Sequence, residues 1–473
     1  MRVKNSSLII NIIVGIISLV ISGIMFLYPT SVYGYNYYFL VPFLYGICII
    51  FSPRIEFINF DNIGPTILNV TMLIKYSITP LVSHLGDHYY WIGVKPDSEY
   101  LNLAVLFTII ELLTLFFTIN FLIKKGIGNT NINDSKNTSD SKMINRTLIH
   151  FIFVIISLII VVIFPQTIAD QRFIFNQSNL GTLVRIDFPL SGLFTTIFNF
   201  GRYCAVLLVI NYFYKKNLKK ESFFNLFGAF LPVIINSLFT SNLSRLNLLV
   251  PLISFVSIIY FLFDSKKMRR ITIKALIYMC VFLVLYMSVV KFFGVGRGNE
   301  GNGGNLYWWG DTLNMYFSGV KDTAIGIKAL PYIKEHFIIL RPTLFFNDTL
   351  SHIIGISNFI DQSHTSTILY NYIYFGSSIS KSQIVPNIVE GYYYFGYLLF
   401  LLPMFLTIMC YHLNNKFKLN SKIDMKFAYQ YSSLFCGMML MVNYSMIISY
   451  FINVTLLFAI ISIINKKMIM KRK

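Results

Sequence analysis

LIINIIVGIISLVISGIMFLY, residues 8–28, carries no charged side chain, and its reading decides how the rest of the chain is understood. At 1.5 Å per residue, a helix of about 20 residues crosses the ~30 Å hydrocarbon layer of a bilayer. Backbone amides find no water inside that layer, so such a run must be a helix that satisfies its own hydrogen bonds. Arg2 and Lys4 precede it. The run is longer than the core of a secretory leader, and it lacks a small-x-small cleavage pattern. It is therefore expected to remain as an anchor.

Outward from it, similar runs recur at about 37–52, 62–82, 100–123, 147–164, 191–213, 223–240, 247–263, 271–291, 391–410, 427–442 and 445–464. The pattern predicts an all-α polytopic integral membrane protein with about twelve transmembrane helices. Composition points the same way. Of 473 residues, 55% are hydrophobic and 12% charged, about half the charge share of an ordinary soluble domain. Mean hydropathy is +0.64. The five cysteines (Cys48, Cys204, Cys280, Cys410 and Cys436) all fall in apolar runs. They read as small packed residues, with neither a disulfide framework nor a metal-binding spacing.

The net charge of +19 invites a nucleic-acid reading, but its distribution excludes one. Basic residues gather at alternate connections: Arg54, then Lys124 to Arg146, Lys215 to Lys220, Lys266 to Arg270, Lys416 to Lys426, and Lys466 to Lys473. Lys and Arg resist translocation and accumulate in cytoplasmic segments. This register places both termini in the cytoplasm, and the flipped topology would put these clusters outside.

The chain then divides into spans 1–4 (1–123), a polar cytoplasmic linker (124–146), spans 5–9 (147–291), a large extracytoplasmic loop (292–390) and spans 10–12 (391–473). No convincing internal repeat is visible. The loop is rich in Gly, Asn, Ser and Tyr, and an aromatic-dense connection of that length reads as a working surface. Within it, HFIILRPTLFFNDTLSHIIGI (336–356) is apolar enough to lie along a bilayer.

Candidate functional residues cluster on the expected outer face. Arg172, Arg185, Arg245, Arg297 and Arg341 all lie there, and the guanidinium fork suits phosphate oxygens. Arg245 sits in a short turn between two spans, where a side chain has little freedom. Arg202 lies well inside its span, which requires a polar cavity or an acidic partner; Glu390, Asp187 and Asp311 are candidates. Lys75 and Glu111 are also within spans and can pair with each other. For acid–base work, Glu390 stands where the loop re-enters the membrane, Asp311 follows a Trp pair, and His336, His352 and His364 are further bases. Trp308, Trp309 and Tyr316 offer ring faces for a sugar. Tyr392, Tyr393 and Tyr394 read more readily as an interfacial belt. Neither HExxH, CxxC nor GxxxxGK[ST] occurs, and GRGNEGNGG (296–304) opens no strand–helix unit.

Three segments carry a resemblance. SNLSRLNLLVPLISF (241–255) resembles the Arg-containing segment of bacterial oligosaccharide repeat-unit polymerases, the O-antigen and capsule polymerases of the Wzy type. YFSGVKDTAIGI (316–327) and SQIVPNIVEGYYYFGYLLFLL (382–402) resemble that family's long outer loop and its re-entry. Where the family carries Gly before the Arg, this chain has Leu243–Ser244. The resemblance implies a GT-C-like architecture and a metal-independent glycosyl transfer without cofactor or nucleotide sugar. Its substrates would be undecaprenyl-diphosphate-linked glycans. Arg245, with Arg297, Arg172, Arg202 or Arg341, would hold the diphosphate; Glu390, Asp311 or His336 would take the acceptor proton. Implied partners are membrane lipids, a chain-length regulator and a flippase. A lipid-linked oligosaccharide flippase and a glycan ligase are the rival readings. The 292–390 stretch counts against the first, and the second shares the architecture.

Overall fold

The computed structural model describes residues 5–57, 59–90, 93–127, 147–169, 171–173, 190–241, 245–294, 306–337, 341–351, 353, 365–376, 383–420 and 422–470. The expected apolar runs within them are largely helical. The first five are α1 (Asn5–Leu27), α2 (Leu40–Ile50), α3 (Ile63–Leu73), α4 (Thr79–Leu85) and α5 (Ser98–Lys124). There follow α6 (Leu148–Ile163), α7 (Ser191–Lys219), α8 (Phe223–Leu238), α9 (Arg245–Leu262) and α10 (Lys266–Gly294). Among the described residues, four helices are long and apolar enough to cross a membrane: Ser7–Leu27, Ser98–Lys124, Ser191–Lys219 and Tyr444–Asn465. A fifth candidate is a broken pair, Asn387–Leu398 and Leu401–Leu419, bent by 119°. Shorter apolar helices fill most of the remaining expected spans. Length falls short of the sequence expectation where the helix is interrupted. The run at 62–82, for example, is α3 and α4 joined by a π-turn at Ile74–Ile78.

Where the sequence reads as a loop, the described residues are largely helical: α11 (Leu306–Phe317), α12 (Val320–Phe337), α13 (Arg341–Leu350) and α14 (Ser366–Phe375). The reason lies in α12, whose Val320, Ala324, Ile327 and Leu330 are all buried. Residues three and four apart share one helix face, so this spacing gives an apolar stripe that packs. The chain finishes with α15 (Asn387–Phe395), α16 (Leu401–Leu419), α17 (Ile423–Gly437), α18 (Tyr444–Tyr450) and α19 (Leu457–Met470). An all-α expectation meets one exception among the described residues. β1 (Gln171–Phe173) pairs antiparallel with β2 (Phe239–Ser241), placing Arg172 opposite Thr240.

The helices form two compact units. The first comprises residues 1–130, 300–415 and 433–450; the second comprises 131–299, 416–432 and 451–473. In the first, α1 and α2 approach closely at Gly15 and Gly46. A Cβ on Gly46 would lie 2.9 Å from the Gly15 carbonyl oxygen, so only the absence of side chains permits this contact. Segments assigned to one side of the membrane also meet here. Asn11 Nδ2 donates to the carbonyls of Ser52 and Ile55, and Ser52 Oγ donates to Asn120 Oδ1. Among the segments read as outer, Tyr35 stacks on His88 with centroids 3.7 Å apart, and Val94 N donates to the Tyr374 carbonyl. In the second unit, α6 packs on α7, where Ser157 occupies the space that a side chain on Gly201 would need.

Candidate functional site

Besides the Lys75–Glu111 pair, two clusters of buried ionisable groups belong to the first unit. In one, α11 and α12 are joined by a tight turn: Ser318 adopts φ 51°, and Gly319 N donates to the Asn314 carbonyl at 2.9 Å. Asn314 Nδ2 reaches Ser83 Oγ at 2.6 Å and so fixes the hairpin to α4. The turn brings Lys321 Nζ to 2.5 Å from Asp311 Oδ1, with both side chains buried. The ammonium also lies 5.3 Å from the Tyr90 ring centroid and 5.6 Å from that of Tyr374, within cation–π range. The neighbouring Asp322 accepts from Gln383 Nε2 at 3.2 Å. Burial pushes its carboxyl up to about 7, against the pull of Lys321. Asp311 is thus a structural ion-pair partner in this state.

Those rings remain accessible. Trp309 and Tyr316 are 48% and 45% exposed and stand seven residues apart on α11, hence on one face. Trp308 packs edge-on against Trp309, with centroids 4.9 Å apart.

The second cluster gathers Asp348 of α13 and Glu390 of α15, both fully buried. Asp348 accepts from Ser366 N through Oδ1 at 3.0 Å and Oδ2 at 3.2 Å, and from the Tyr394 hydroxyl at 2.6 Å. Glu390 Oε2 accepts from Tyr444 N at 2.8 Å. Ser366 Oγ lies 3.4 Å from Glu390 Oε1 and 3.3 Å from the Tyr394 hydroxyl, so Ser366 and Tyr394 together link the two acids. Ser366 and Tyr444 are the first residues of α14 and α18. Each carboxylate therefore caps the start of a helix other than its own, satisfying an orphan amide at the positive end of the dipole. Burial pushes the Asp348 carboxyl from 3.8 up to about 6, while the bonds from Tyr394 and Ser366 pull it down.

In the second unit, Arg202 of α7 donates from Nη1 to Gln171 Oε1 at 2.8 Å and Asn199 Oδ1 at 3.4 Å. From Nη2 it donates to the Asn236 carbonyl at 3.1 Å, Asn236 Oδ1 at 3.0 Å and the Phe239 carbonyl at 3.1 Å. These oxygens hold the guanidinium in place. Apart from that of Asn199 in α7 itself, they belong to β1, to α8 and to β2, so Arg202 pins the ladder to α7. Arg172 lies in β1, and Arg245 opens α9 four residues after β2 ends. The backbones of these arginines thus converge on one short ladder.

The side chains of Arg172, Arg245, Arg341 and His336 lie outside the described residues, as do Arg185, Arg297, Asp187, His352 and His364 altogether. The expected acidic partners of Arg202 that are described, Glu390 and Asp311, belong to the other unit. Lys75 and Glu111 pair at 2.6 Å, as the sequence suggests, and the Tyr76 hydroxyl donates to the same carboxylate at 2.9 Å. Sequence reasoning missed Asp322, Asp348 and Ser366. Asp322 was visible as an acid inside YFSGVKDTAIGI; nothing local distinguishes Asp348 in FFNDTL. No cluster of three or more His, Cys, Asp or Glu side chains poised for a metal occurs among the described residues. No family model, curated protein or solved structure matches this chain.

Proposed function

We propose that this chain is an oligosaccharide repeat-unit polymerase. It would join undecaprenyl-diphosphate-linked glycans into a surface polysaccharide at the outer face of a bacterial cytoplasmic membrane. The observation that carries the reading is that the backbones of Arg172 and Arg245 lie at or beside the β1–β2 ladder that the Arg202 side chain reaches, among helices apolar enough to meet lipid. A lipid diphosphate is the anion such a cluster would meet there.

In the proposed reaction, an acceptor hydroxyl oxygen forms a bond to the anomeric carbon of the growing glycan. The bond from that carbon to the diphosphate oxygen breaks, and undecaprenyl diphosphate leaves with the electron pair. Arg245 and Arg202, with Arg172, Arg297 or Arg341, stabilise the charge that develops on it. The hydroxyl proton goes to Glu390, Asp311 or His336. Glu390 and Asp311 are engaged in the described state, so either would act only once substrate frees it. Trp309 and Tyr316 offer exposed rings on which a sugar can stack.

Glu390→Gln separates these roles, because the Gln carbonyl still accepts from Tyr444 N but takes no proton. Normal polymer length with Gln in place would remove Glu390 as the base. The reading as a whole is tested in a strain lacking the protein, by a gel profile of surface polysaccharide beside extracted lipid-linked glycans. Loss of long chains with single repeat units still reaching the outer face is the expected result. Repeat units trapped on the inner face would point to a flippase instead.

A further inference from the structure

An open cleft of about 440 Å³ lies in the second unit, where α16 turns into α17 against α19. Its polar wall is Asn420, Lys422 and Ser462, with Tyr429 also lining it. Lys422 Nζ donates to Ser462 Oγ at 2.5 Å, and Asn420 Oδ1 accepts from Lys422 N at 2.8 Å. Among the described residues, no carboxylate lines the cleft. The nearest acid in sequence, Asp424, faces His150 Nε2 at 3.5 Å and accepts from Met425 N. Lys426, one turn on, points inward, with Nζ 2.8 Å from the Phe417 carbonyl. Among the described residues, Lys422 thus has a hydroxyl and no acid to answer its charge.

The other wall is apolar and open to the surroundings. Leu419 and Ile463 line it at 59% and 57% exposure, and Leu456 and Ile460 continue the exposed face along the last helical segment. A cation, a hydroxyl and an amide sit beside a strip of exposed aliphatic side chains, with a tyrosine also lining the cleft. That is the profile of a molecule with an anionic head and hydrocarbon tails. The basic runs at 416–426 and 466–473 favour the leaflet that holds anionic lipid. The geometry points to a binding site for the phosphate headgroup of an anionic phospholipid at the α16–α17 turn, with Lys422 and Ser462 as its polar contacts.

The test is native mass spectrometry of the full chain in neutral detergent, titrated with phosphatidylglycerol or with phosphatidylcholine. The first phosphatidylglycerol should bind selectively, and Lys422→Gln should weaken it about fivefold, the effect of one basic side chain near lipid phosphate. Lys422→Arg should retain it, whereas Ser462→Leu, which fills the cleft, should lower it without removing the cation. Equal binding of the two lipids would overturn the assignment, as would phosphatidylglycerol binding indifferent to both Lys422→Gln and Ser462→Leu. Displacement of the lipid by low-millimolar inorganic phosphate would mark a soluble anion's site instead.

Discussion

A guanidinium has five donors in a fixed plane, and Arg202 uses that plane to reach three elements at once. Arg202→Lys keeps the charge but loses the fork. Hydrogen bonds to a charged group contribute about 1.5–3 kcal/mol each, so we expect a clear fall in melting temperature for purified Arg202→Lys, together with shortened polymer. An unchanged melting temperature would mean that the ladder does not depend on this fan. Asp348 makes the pH behaviour of the first unit explicit. Its folded value, about 6, lies above its ordinary 3.8, so the native state holds its proton more tightly than the unfolded chain. The group therefore stabilises least above pH 6, and stability falls as pH rises from about 4 to 6. A shift of about two units corresponds to about 3 kcal/mol. Asp348→Asn, which cannot ionise, should flatten that slope; melting curves between pH 4 and 7 on both proteins decide it, and parallel slopes would sink the assignment.

At the scale of elements, the Lys75–Glu111 pair joins the π-turn after α3 to α5. Removing one partner leaves a buried charge unanswered, at a cost of about 3–5 kcal/mol, whereas replacing both with apolar residues is often nearly neutral. We expect Lys75→Met and Glu111→Leu each to destabilise strongly and the double variant to recover most of the loss, read as melting temperature in detergent. Additive losses would show that the two do not act as a pair. This contact was legible because two opposite charges stood in neighbouring apolar runs. The apolar runs were legible because long uncharged segments leave the backbone no choice but helix. Helices α11 to α14 were hidden because Gly, Asn and Tyr dilute their stripe, which shows only once Val320, Ala324, Ile327 and Leu330 are aligned on one face. The β1–β2 ladder was hidden more completely. Its strands are three residues each and are separated by α7 and α8, so their pairing is set by packing and by Arg202, not by a local signal. The acids at 348 and 390 look alike in sequence to any interfacial carboxylate. Their capping role depends on amides far along the chain.

For the whole molecule, charge distribution sets the expected orientation. The native cysteines in the described residues are buried or half-buried, so the background for thiol labelling is low. With an impermeant maleimide on intact cells, Asn302→Cys should label and Ser135→Cys should label only after lysis. The reverse pattern would invert the membrane assignment and move the arginine ladder to the cytoplasm. The same labelling bears on the proposed polymerase, whose substrate is met on the outer face.

The caps on α14 and α18 have one more consequence, in the order of synthesis. Asp348 leaves the ribosome before Ser366, and Glu390 before Tyr444, so each acid is made ahead of the amide it will receive. A nascent chain thus offers waiting acceptors to late-arriving helix starts, and neither start is complete until an earlier segment is in place. Truncation before Tyr444 would take from Glu390 the 2.8 Å bond from that amide and leave it the longer contact from Ser366 Oγ, a condition that quality control can recognise as an unfinished chain.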